Sequence, residues 1–146
     1  MTNPFDSLAK SAAALNQVTS ELNTLLEKFE TTVNSYNIGV GAWVRLNDDQ
    51  WKDTDDSYEV IRLVGYDKFK GKWQLCFCHY LEVEGPPGEE VPLRDASREA
   101  RLAALEQLPL LATELAKAVQ LRATEASSKV KNATIFLSAL TAAKKK

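Results

Sequence analysis

The chain is poor in the residues that usually carry covalent or metal chemistry, with two cysteines and one histidine among 146 residues. The cysteines stand as Cys76-Phe77-Cys78, too close along a strand to staple distant segments. The fold must therefore rest on packing, and a reducing, cytoplasmic setting is expected. No apolar run approaches the roughly 18 residues of a membrane helix, and the opening MTNPFDSLAK lacks the basic flank and apolar stretch of a signal peptide, so no membrane partner is expected. Phosphate-loop and Rossmann glycine runs are missing, as are G-x-S-x-G and H-E-x-x-H. With 45% hydrophobic and 26% charged residues, the composition excludes a disordered tail or a collagen-like chain, and the length suits one domain over residues 1–146.

Charge is present in both signs but unevenly placed. Residues 1–36 carry four acids and two bases, residues 37–93 eleven acids and six bases, and residues 94–146 five acids and ten bases. The middle and the end are electrostatic complements, within one chain or between two. A nucleic-acid binder would show a basic surplus unmatched elsewhere, and a pI near 5.5 argues against one.

Residues 4–36 read as one long helix. Asn3 is a suitable N-cap, Pro4 fits the first helical position, and Asp6 suits the positive end of the dipole. Leu8, Leu15, Leu22, Phe29 and Tyr36 recur every seven residues, with Val18 and Leu25 between them, which is a heptad seam. Residues 38–83 read as three antiparallel strands: Ile38 to Leu46, Tyr58 to Tyr66, and Lys72 to about Val83. The short segment 67–71, ending in Gly71, makes a hairpin of the last two, and Gly85 to Pro92 is expected to end the sheet. Residues 95–142 read as helix again, capped by Asp95 and kinked or broken near Pro109.

Residues 4–36 and 109–141 have the same length. The match suggests an α+β fold in which the two helices pair as an antiparallel coiled-coil hairpin with the sheet at its tip. Leu8 would then face Leu137, Leu15 would face Val130, and the piece 95–108 would cover one face of the sheet. In outline, long helix, small sheet, long helix, the order resembles that of prefoldin subunits. It departs from them in having three strands in place of hairpin pairs, and the resemblance is one of shape alone.

Chemistry has few candidates. Cys76, Cys78 and His79 are metal-ligand types, but a structural zinc site needs four ligands, and on a strand His79 points away from both thiols. No metal and no cofactor are expected. Asp53, Asp55, Ser57 and Glu59 have the alternate spacing that begins a calcium loop, yet Tyr58 stands where glycine belongs and Val64 where the closing glutamate belongs. Trp51, amid these acids, is a candidate docking anchor. Arg94, Arg98 and Arg101 stand at i, i+4 and i+7 on one helix face, where they could hold a phosphate or carboxylate or else pair with the chain's own acids. Trp43 and Trp73 alternate with aliphatic residues and are expected under the helical cover. Lys144, Lys145 and Lys146 suit a solvated helix end.

An apolar surplus remains after two helices are paired. Leu26 and Val33 widen the first stripe, Ile135 and Phe136 precede Leu137 without interruption, and Phe5 falls at the same end of the expected hairpin. These five residues are the expected oligomer interface. The reading is a non-enzymatic interaction, adaptor or regulatory module that self-associates as a dimer or borrows helices from a different protein. The alternative is a nucleic-acid or phosphate-ligand binder using the arginine stripe and the basic C-terminal arm.

Overall fold

A computed structural model describes residues 3–47, 60–86 and 88–144. Helix α1 spans Pro4–Ser35 and begins as its sequence dictates, with the Asn3 side chain accepting the Phe5 N–H at 2.9 Å. It ends where Asn37 turns into the left-handed region, φ 50°. Four strands follow: β1 (Ala42–Arg45), β2 (Val60–Phe69), β3 (Lys72–Leu81) and β4 (Glu89–Pro92), antiparallel in the order β1-β2-β3-β4. A single 3-10 turn, Leu93–Asp95, leads to helix α2, Arg98–Lys144. No helix among the described residues is long and apolar enough to cross a membrane.

The α+β architecture is as expected, but the sheet has four strands rather than three. Glu89-Glu90-Val91-Pro92 pairs with His79 to Cys76, although two acids and a proline make a poor strand signal. The proline is tolerable because it ends an edge strand. The first strand is shorter than its alternation implies, since Gly39 also holds a positive φ, 63°, and breaks the pleat before Ala42. The β2–β3 turn is tighter than expected. Lys70 and Gly71, at φ 51° and 83°, form the two-residue loop, and ten residues on each side stay in register.

Helix α2 differs from its expectation in its cap, and of the two outcomes expected at Pro109 the break is not formed. Ser97, not Asp95, caps it, with Oγ accepting the Ala100 N–H at 3.1 Å. The helix also runs unbroken through Pro109. The proline side chain is exposed, and its missing N–H deprives only the Leu105 carbonyl, while Ala103, Ala104, Leu108 and Leu111 on either side are anchored in the core.

The core lies between one face of the sheet and the two helices. Val44, Val64, Tyr66 and Leu75 rise from the strands to meet Leu22, Leu26 and Val33 of α1 and Leu108, Leu111 and Leu115 of α2. Ala103 and Ala104 lie at most 1% exposed there, their small side chains letting α2 approach closely.

The course of the helices over the sheet follows from three contacts. Asn34 accepts the Tyr66 hydroxyl of β2, Glu30 accepts the Leu75 N–H of β3 at 2.7 Å, and Asn23 accepts from Arg101 near the start of α2. Helix α1 thus crosses the strands toward the β1 side as it nears its C-terminus. Helix α2 sets out beside Asn23 and packs on β1 and β2 farther along. Both advance in the same sense, so their outer portions leave the sheet in opposite directions. Leu8, Leu15, Val130 and Leu137 are all exposed, and the full-length antiparallel hairpin is not formed within the chain. The outline likeness to prefoldin subunits stops at the order of elements.

Candidate functional site

The feature that sets this chain apart is the continuation of its core-facing stripes into solvent. At about 100° per residue, Leu8, Leu15, Leu22, Leu26, Phe29 and Val33 fall within a sector of roughly 60° on α1. The inner members pack on the core, whereas Leu15 is 45% and Leu8 62% exposed. The same is seen on α2. Leu111 and Leu115 are buried, and the sector they define continues as Ala126, Ala133, Phe136 and Leu140, interrupted by Arg122 and Lys129. Every residue of 4–18 and of 121–144 is exposed.

The five expected interface residues divide on this basis. Phe5, Ile135 and Phe136 are 75%, 61% and 67% exposed and stand on the free arms. Leu26 and Val33 are buried in the chain's own core, which corrects their assignment to an intermolecular surface. The sheet, rather than a second helical hairpin, covers that widened stripe. Trp51 and the acid cluster 48–59 lie outside the described residues.

The arginine stripe is split by the fold. Arg94 is exposed on the 3-10 turn, and together with Arg101 and Lys72 it lines a cleft of about 530 Å³ floored by Leu26, Leu75 and Leu93. The opposite wall is α1, which presents Glu27, Glu30 and Asn34. Arg98 does not line the cleft, and its Nε is buried without a hydrogen-bond partner among the described residues, as is that of Arg101. No acid of the 95–106 segment holds Arg101; it donates to Asn23 instead. Sequence spacing cannot find this cleft, because its two walls are brought together only by the crossing of α1 over β3.

The other sheet face is built around Trp43. The indole lies flat over Gly65, where an added Cβ would fall 2.3 Å from the ring, and the pair of residues opposes Cys76 across the strands. Trp43 is therefore on the face away from the helices, which corrects its placement under them. Trp73 does lie on the helix side, stacked on Tyr66 with ring centroids 5.4 Å apart. Phe77 and His79 share that side, centroids 5.7 Å apart, and the two thiols are free on the other. Burial, followed by repulsion from Glu90, pushes the Cys76 thiol up to about 12, so it stays protonated at neutral pH. Among the described residues no group of three or more His, Cys, Asp or Glu side chains could hold a metal.

Glu90 shares this face with Cys76 and Asp67, and burial, then repulsion from Asp67, raises its pKa. One carboxylate oxygen, Oε1, is buried with no hydrogen-bond partner among the described residues. As pH rises, the unfolded chain releases this proton first, near about 4.3, while the folded chain still holds it. The folded state then binds more protons, so stability falls as pH rises through the raised folded value. Glu90→Gln is accordingly expected to melt higher than the parent at pH 8 and to lose that advantage at pH 4. Equal melting shifts at both pH values would remove Glu90 as the source.

Protein-family models, curated proteins and solved structures show no match to this chain.

Proposed function

We propose that this protein is a non-enzymatic interaction module that self-associates, most simply as a dimer, through the helical arms its sheet core displays. One observation carries the reading. The stripes that pack on the core continue outward on both helices with large apolar side chains exposed, among them Leu8, Leu15, Phe136 and Leu140. Helical stability in proteins comes chiefly from packing one apolar face. Exposed apolar side chains lined up in this way mark a contact surface. The antiparallel helix pairing legible in the heptads then belongs between copies. The arginine cleft supports the phosphate-binding alternative less well, because Glu27 and Glu30 line it together with Arg94 and Arg101.

Light scattering during size exclusion at micromolar concentration tests the reading. The expected mass is about twice the 16.2 kDa of one chain. Phe136→Glu should bring it to the monomer while the far-ultraviolet circular dichroism of the sheet persists. A wild-type monomer would defeat self-association; a dimer untouched by Phe136→Glu would place the contact elsewhere.

A further inference from the structure

The pairing of the arms rests on the self-association proposed above. We infer that the α1 arm of one copy packs antiparallel against the α2 arm of a second copy, and reciprocally, so that two contacts close around one twofold axis. Three observations lead there. First, the arms leave the sheet in opposite directions, because both helices cross it in the same sense from the Asn23–Arg101 contact toward β1. A twofold that turns one copy end over end lays each α1 arm beside the other copy's α2 arm, running the opposite way, and forms both contacts at once.

Second, charge counts against pairing two α2 arms. The α2 arm, residues 116–144, carries Lys117, Arg122, Lys129, Lys131 and Lys144 against one acid, Glu125. Two such arms side by side would set bases against bases. The α1 arm, residues 4–18, carries one acid, Asp6, and one base, Lys10, so it meets the basic arm without that repulsion.

Third, each stripe lacks what the other offers. On α1 the uncovered part presents the large Leu8 and Leu15, with the small Ser11 and Ala12 beside them. On α2 the corresponding sector places the small Ala126 and Ala133, beside Arg122 and Lys129, nearer the core and the large Phe136 and Leu140 toward its end. Large side chains on one helix need small ones opposite for the axes to approach.

Complementation between two variants separates the pairings. One variant carries Leu8→Glu with Leu15→Glu, the other Phe136→Glu with Leu140→Glu. All four side chains are at least 45% exposed within the chain, so both variants should keep the parent circular dichroism. Alone, each variant spoils both reciprocal contacts and should be monomeric. Mixed in equal amounts, with one copy carrying a mass tag, they should form a heterodimer, because the intact α1 arm of one meets the intact α2 arm of the other. That heterodimer should bind about 30-fold or more weakly than the parent dimer, since one of two contacts is lost.

Failure here is distinct from failure of self-association itself. A wild-type chain that is monomeric would defeat the reading on which the inference rests. A wild-type dimer whose first variant stays dimeric alone would show α2 arms pairing with each other, overturning the inference while self-association stands. A mixture that yields no heterodimer above the two separate variants would overturn it equally.

Discussion

Leu111→Ala should destabilise the protein by about 2–5 kcal/mol, toward the upper end of that range. Leu111 is wholly inaccessible to solvent and sits on α2 among side chains of the sheet and of α1. Truncation removes the transfer free energy of its missing methyl groups. It also leaves a cavity whose walls, a helix clamped at Leu108 and Leu115 and a hydrogen-bonded sheet, have little room to collapse. Because a domain of this size has a total stability on the order of 5–15 kcal/mol, the change should shift the urea midpoint strongly with little change in slope. Leu121→Ala on the same helix, where the leucine is 63% exposed, supplies the contrast and should stay within about 0.5 kcal/mol for the isolated chain. Equal effects at the two sites would mean that α2 is not seated on the sheet as described.

Gly65→Val should be comparably severe for the opposite reason. The position has no room for a side chain, since an added Cβ would meet three atoms of the Trp43 ring between 2.3 and 2.7 Å. The indole must swing off the sheet, and the overpacking costs about 1–3 kcal/mol before the exposed ring is counted. Displacement should uncover Cys76, now fully buried, and shift the tryptophan emission to the red. Combining Gly65→Val with Trp43→Ala should recover part of the loss, because the two positions share one contact. Additive losses in the double variant would show that the glycine is needed for its backbone and not for the ring above it.

The parts legible in the sequence are those fixed by local rules. Asn3 and Pro4 mark the start of α1, and the period-two runs about Val64 and Leu75 mark a hairpin. The heptads also report truly that α1 has one apolar side. They cannot say what lies against it, because Leu22 and Phe29 serve equally well in a coiled coil or on a sheet. Here the inner part of the stripe meets β-strands and the outer part does not, a division set by where the sheet edge falls. Strand β4 was hidden because Glu89, Glu90 and Pro92 form a strand by pairing with β3, not by propensity. The cleft was hidden too, since Glu30 and Arg101 meet it from elements far apart in the chain.

The hydrogen bond from Leu75 to Glu30 bears on how the sheet avoids growing. Strand β4 pairs with β3 from Cys76 to His79 and ends at Pro92, so Lys72 to Leu75 extends beyond its neighbour as a length of strand edge. Such an edge is a template for edge-to-edge accretion, in which a stray strand finds backbone donors waiting. Here the Leu75 donor is already held by a carboxylate delivered from the helix above, at 2.7 Å. An incoming strand would have to displace an anion and meet it at close range, with the closed ring of Pro92 standing where β4 would otherwise continue. A molecule whose arms invite company thus keeps its sheet from joining in.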